Sequence, residues 1–176
     1  MGDDLQNHWA IFGHSSNRDK LDVLVSRHEV SPARISMRYE EAKYMHLTLV
    51  GLSHKTAPVD IREKLTFPAD VQPDALATLA AHSAVNECII VSTCNRTEIY
   101  AVTQAEEDGV GAVIDFMSDY HGLDREKLGN YLYSKQGEDV IKHLFRVVAS
   151  LDSMVLGEAQ ILHQVKEAYD HAFEAG

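Results

Sequence analysis

Cysteine is scarce in this chain: two residues in 176, Cys88 and Cys94. Six positions apart on neighbouring stretches, they do not build a disulfide framework, and they fit a reducing, cytoplasmic compartment in which an exposed thiol stays a thiol. Long apolar runs are missing too. The apolar fraction is 45%, and no run approaches the roughly 20 residues of a membrane span, so the expectation is a soluble globular protein without a membrane partner. The start, MGDDLQNHW, lacks a basic stretch followed by an apolar core, so no secretory signal is expected. Basic residues are outnumbered 16 to 27, for a net charge of −11. From Met45 onward 10 basic residues face 20 acidic ones. That excludes loose, sequence-independent binding of nucleic acid, which needs a basic footprint, and leaves room for a specific nucleic-acid substrate held by few contacts. Repeats and low-complexity segments are absent, and no strand–Gly-x-Gly-x-x-Gly–helix pattern offers a dinucleotide site.

What is there divides at Met45. Residues 1–44 mix charges without a sustained period, apart from LDVLV, one expected short strand. They read as an N-terminal extension, expected to be poorly ordered or non-native. From Met45 the pattern sharpens. His46 to Leu52 is expected as the first strand and Ser53 to Pro58 as a polar loop. Helices are expected over Asp60–Leu65 and Asp70–His82, with Pro73 tolerated in the first turn of the latter. Glu87–Ser92 and Thr97–Val102 read as strands joined by TCNR as a hairpin. In Glu106–His121, Val110, Val113, Ile114, Met117 and Tyr120 recur at helical spacing, and Gly122 stops the helix. Asn130–Ser134 is expected as a fourth strand. Glu138–Ser150 reads as a helix with Ile141, Leu144, Phe145 and Val148 inward, and Glu158–Phe173 as another with Ile161, Leu162, Val165, Ala168 and Tyr169 inward. The fold class is therefore α+β: a small antiparallel or mixed sheet, in a ferredoxin-like arrangement, covered by helices. The domain spans 45–157, and 158–176 begin a long linker helix.

The stretch STCNRTEIY, residues 92–100, carries the chemistry most open to reading. Period-two alternation places Cys88, Ile90, Ser92 and Cys94 on one strand face. Cys88 lies inside an apolar run and is most simply a small core residue. Cys94 lies past the strand end beside Arg96, where an adjacent guanidinium favours thiolate over thiol. A lone cysteine is more often inert and buried than catalytic, and spacing alone does not decide. In HLFRVVASLDSMVLGEAQILHQ, residues 143–164, His143, Arg146 or Val147, and Ser150 share a helix face distinct from a Leu144/Val148/Leu151 core stripe. Gln160 and Gln164 sit one turn apart beyond the break at Gly157. Such groups suit a polar ligand, and equally an ordinary solvated face.

Three blocks, GLSHKTAPVDIREKL (51–65), STCNRTEIY (92–100) and HLFRVVASLDSMVLGEAQI (143–161), resemble in order and spacing the signature blocks of glutamyl-tRNA reductase. That family makes glutamate-1-semialdehyde from glutamyl-tRNA and NADPH, the first committed step of tetrapyrrole (porphyrin) synthesis by the five-carbon route. The resemblance implies that Cys94 is the nucleophile, attacking the aminoacyl ester to release tRNA and hold glutamate as a thioester. It implies that Thr93, Asn95 and Arg96 bind substrate, with Arg96 pairing a substrate carboxylate through its planar fork. It assigns His143 a part in catalysis, whether orienting the carbonyl, protonating the departing oxygen or tuning Cys94. Ser153, Glu158, Ala159, Gln160 and Gln164 match further substrate contacts. Two departures stand out: Ser150 where the family commonly has glycine, and Ala159 where it commonly has proline. The resemblance further implies an NADPH-binding domain and a helical dimerisation domain, both expected to be absent from this chain. It also implies a homodimer in the full-length protein and the downstream aminomutase as a partner. Two other readings stay open at this point: a free-standing thiol esterase using Cys94 and His143, and a non-catalytic substrate-binding module.

Overall fold

The structure, a computed structural model, describes residues 46–153 and 160–175. The expected LDVLV strand, together with Glu158 and Ala159, lies outside these residues. Four strands form one sheet: β1 (His46–Ser53), β2 (Val85–Ser92), β3 (Arg96–Thr103) and β4 (Tyr133–Gln136), in the order β2-β3-β1-β4. Every neighbouring pair is antiparallel. With helices between β1 and β2 and between β3 and β4, this is the ferredoxin-like arrangement. The antiparallel alternative of the two sheet types expected is the one formed.

The helices are α1 (Val59–Lys64), α2 (Gln72–Ala80), α3 (Glu106–His121), α4 (Arg125–Gly129), α5 (Glu138–Val148) and α6 (Gln160–Ala175). Glycine stops α3 because residue 122 takes φ +63, a left-handed turn that a side chain resists. The fourth strand differs from expectation. Asp124 caps a short helix, α4, by accepting a hydrogen bond from the Lys127 amide at 2.9 Å. That helix takes the chain to Gly129, so pairing with β1 starts only at Tyr133. The Asp-Arg-Glu-Lys cap signal, rather than the β-prone Tyr-Leu-Tyr, decides the local structure here.

Strand alternation sorts side chains onto two faces. One face carries Val50, Leu52, Ile90, Ile99 and Ala101 against Leu76 and Leu79 of α2 and Val113, Phe116 and Met117 of α3. The other carries Leu49, Val91 and Tyr100 against Val140 of α5 and Ala168 of α6. This second face also presents Arg96 and Glu98, opposite Ser53 and Gly51 in the register.

The two C-terminal helices are rotated from the expected orientation. In α5 the buried residues are Val140, His143 and Val147, whereas Ile141 is 47% and Phe145 70% exposed. Leu151, expected on the core stripe, is 59% exposed. The inward stripe of α5 is the mixed one that carries His143, because the sheet beneath it holds a buried carboxylate that takes a polar partner. In α6, Ile161 and Ala168 are buried while Leu162 and Tyr169 are each 56% exposed. Beyond α5, Ser150 occupies a left-handed position at φ +58. There the Ser150 amide donates to Val147 O and the Leu151 amide to Arg146 O, both at 2.9 Å, the paired bonds of a Schellman stop. That geometry is why glycine is at home in this position. Among the described residues no helix is long and apolar enough to cross a membrane.

Candidate active site

The turn between β2 and β3 is built by Thr93. Its hydroxyl oxygen accepts from the amides of Asn95 at 3.2 Å and Arg96 at 3.1 Å, and its own amide donates to Arg96 O at 2.8 Å. A threonine hydroxyl bonding two and three residues ahead closes a tight turn without glycine. The amide of His54, in the loop after β1, donates to Asn95 O at 2.8 Å and ties the turn to that loop. Cys94 sits at the tip, exposed.

The turn breaks the strand alternation. Cys88 packs against the α2 side and lies 3.9 Å from Leu76 O. Cys94 instead lines a cavity with Thr93, Asn95, Arg96, Ser153, Gln160, Ile161 and Gln164. Burial pushes the Cys88 thiol up to about 11, which keeps it protonated and unreactive at neutral pH. Seven of the residues expected at the site thus meet in one place, from three separate segments of the chain.

Arg96 does not stand free beside the thiol. Its side chain is 2% exposed. Nη1 donates to Glu98 Oε1 at 2.7 Å, and Nη2 to Asp152 O at 2.5 Å with Asp152 Oδ2 at 3.4 Å. Burial opposes the guanidinium charge, and Glu98 and Asp152 more than offset it, holding Arg96 above its ordinary value. Glu98, fully buried, is the hub of this layer. It accepts from Arg96, from His143 Nε2 at 2.7 Å, from Tyr100 OH at 2.8 Å and from Tyr133 OH. Burial alone would raise its carboxyl. The His143 hydrogen bond, the Arg96 charge and the Tyr133 hydroxyl outweigh that and hold it below the usual carboxylate range. The two phenols move the other way, pushed up chiefly by burial and then by the Glu98 charge. With Glu98 ionised, His143 Nε2 carries the proton it shares.

Room for this carboxylate is made in the sequence. A Cβ on Gly51 would lie 2.8 Å from Glu98 Cγ and 2.6 Å from Thr97 O, so glycine opposite Glu98 is a packing requirement. Asp152, just past the stop at Ser150, also pairs with Lys55 in the loop after β1. Burial raises the Asp152 carboxyl, but Lys55 and then Arg96 bring it below its ordinary value. This anchor sets the next residue, Ser153, into the cavity.

His143 is not brought to Cys94. It lines a separate cleft of about 430 Å³ with Lys55, Tyr133, Lys142 and Asp152, and is linked to the Cys94 cavity through Glu98 and Arg96. Glu98, Tyr100, Tyr133 and Asp152 were not singled out by sequence reasoning. A signal existed: Arg96, Glu98 and Tyr100 alternate with Thr97 and Ile99 along one strand, which turns two opposite charges to the same face.

A sequence profile described as "Glutamyl-tRNAGlu reductase, N-terminal domain" matches residues 50–176. The glutamyl-tRNA reductase of Pelotomaculum thermopropionicum is 52% identical over 130 residues, covering 74% of this chain and 29% of that protein. The one from Geobacter sulfurreducens is 51% identical over 130 residues, covering 74% and 30% respectively. Among solved structures, the glutamyl-tRNA reductase of Methanopyrus kandleri superposes with a TM-score of 0.60 at 33% identity, covering 74% of this chain and 29% of that one. The chain therefore spans less than a third of the length of these relatives. It belongs to the glutamyl-tRNA reductase family, whose N-terminal domain it carries.

Proposed function

We propose that this chain performs the thiol half-reaction of glutamyl-tRNA reductase: capture of glutamate from glutamyl-tRNA as a thioester on Cys94. The observation that carries the reading is the meeting of the one exposed thiol among the described residues with Arg96, Ser153, Gln160 and Gln164 in a single cavity. The sulfur of Cys94 attacks the ester carbonyl carbon. A carbon–sulfur bond forms, the bond to the ribose oxygen breaks, and that oxygen leaves as the tRNA hydroxyl, taking up the proton that the thiol gave up on becoming a thiolate. An aminoacyl ester is already activated, so a thiolate suffices. Thr93 shapes the turn that presents the sulfur, and Asn95, Ser153, Gln160 and Gln164 supply hydrogen-bonding groups for the glutamyl moiety. Glu158 and Ala159 are assigned to the same task. The guanidinium of Arg96 receives the substrate carboxylate while Glu98 and Asp152 fix its plane. His143 is a positioning residue, holding Glu98 and through it Arg96.

Among the described residues no glycine-rich turn of a dinucleotide site is formed. The one Gly-x-Gly of the sequence, Gly109 and Gly111, lies inside α3. A Cβ on Gly109 would lie 2.5 Å from Thr103 Oγ1, so this glycine serves close helix–sheet packing instead of opening a phosphate-binding turn. We therefore assign NADPH, the homodimer contacts and any aminomutase contact to parts of the reductase outside these 176 residues, and the working compartment to the cytoplasm.

The test is to incubate the chain with labelled glutamyl-tRNA and NADPH and to separate protein-bound label, free glutamate and semialdehyde. The expected result is bound label or free glutamate without semialdehyde, both lost in Cys94→Ser. Semialdehyde made by the pure chain would refute the division of labour. Intact glutamyl-tRNA with no bound label would favour a binding module, and equal turnover of simple esters lacking glutamate a general thiol esterase.

A further inference from the structure

We propose that Arg62 is the positioning residue of the nucleophile, gripping the Cys94 turn from α1 and holding it to the loop after β1. The inference rests on the reading of Cys94 as the reacting thiol. Arg62 lies in the last turn of α1, thirty-two positions before Cys94, and its Nε donates to Cys94 O at 3.3 Å. The same guanidinium donates from Nη1 to Ala57 O at 2.8 Å. One planar fork thus joins the loop after β1 to the carbonyl of the nucleophile itself. The His54 amide bond to Asn95 O ties the same two segments one residue further on.

The contrast with Arg96 is electrostatic. Arg96, the arginine near Cys94 in sequence, has its charge met by Glu98 and Asp152. Among the described residues Arg62 has no carboxylate partner, and its donors meet carbonyl oxygens alone. A guanidinium stays charged and offers donors on separate nitrogens at fixed angles, so one planar group spans two carbonyls that an ammonium would have to reach from a single nitrogen. Arg62 does not line the Cys94 cavity, so it acts on the nucleophile through the turn and leaves substrate binding to the cavity residues.

The experiment compares the chain with Arg62→Met and Arg62→Lys, each first checked for folding by its thermal transition. Alkylation of Cys94 by iodoacetamide at neutral pH, read by peptide mass, needs no substrate. It should fall about tenfold in Arg62→Met, the loss of one charge-assisted contact, and less in Arg62→Lys, which keeps a charged donor for the turn. Transfer of glutamate from glutamyl-tRNA should fall in rate in both variants, with its half-saturating concentration unchanged. Equal alkylation in folded wild type and Arg62→Met overturns the proposal, as does a change in half-saturation alone. If the wild type takes up no glutamate while alkylation still follows Arg62, the reductase reading fails and the role of Arg62 stands.

Discussion

Glu98 shows how a single side chain organises this site. A carboxylate with no solvent access is unfavourable unless charge and hydrogen bonds replace its water. Here Arg96, His143, Tyr100 and Tyr133 do so from β3, α5 and β4. Replacing Glu98 by Gln keeps the volume but leaves Arg96 buried with only Asp152 as counter-charge. We expect Glu98→Gln to cost about 3 kcal/mol, as breaking a buried pair does, measured by urea denaturation. A loss below about 1 kcal/mol, the range of a surface pair, would mean that solvent reaches this layer. Cys94, Arg96 and their neighbours were legible because three blocks matched a family. Glu98 was not, since a glutamate in a strand reads by default as solvent-facing, and only the register places it opposite Gly51 under α5.

At the scale of elements, period and caps located α3, α5 and most of α6, and β-prone runs located β1 to β3. Facing was harder. Helix α5 has an apolar set, Ile141, Leu144, Phe145 and Val148, and a mixed set, Val140, His143 and Val147, both at helical spacing. Periodicity favours the first. The structure buries the second because the carboxylate beneath needs His143, and the rest of that face follows it inward. Two substitutions measure this rotation. Val147→Ala removes two buried methyl groups and should cost about 2 kcal/mol. Phe145→Ser, on a residue 70% exposed, should stay within about 0.5 kcal/mol. The reverse order in chemical denaturation would restore the apolar stripe to the core.

Over the whole molecule, the ferredoxin-like sheet gives one face to a dry core and the other to the charged layer that supports the cavity. The dry side has its own titration. His121, at the end of α3, packs edge-on to Phe67 with ring centroids 4.6 Å apart, and its Nε2 is buried without a hydrogen-bond partner. Burial holds it below its ordinary value of 6.5. The unfolded chain therefore binds the proton first as pH falls through 6.5, and stability is lost from there downward until the native imidazole also protonates. His54 is lowered in the same direction, by burial first and then by Lys55 and Arg96. We expect stability to decline between pH 7 and 5.5, and His121→Phe, which keeps the aromatic contact, to flatten part of that decline. An unchanged slope in that variant would mean that His121 titrates as it does in the unfolded chain.

The central step is the passage of glutamate from tRNA to one particular sulfur. Its most direct test is peptide mass mapping of the chain after acid quench of a reaction with glutamyl-tRNA and no NADPH. The prediction is a mass increase of one glutamyl residue on the peptide bearing Cys94, discharged by hydroxylamine as a thioester is, with the Cys88 peptide unchanged. A glutamyl adduct on Cys88, or consumption of the glutamyl-tRNA that persists undiminished in Cys94→Ser, would contradict it.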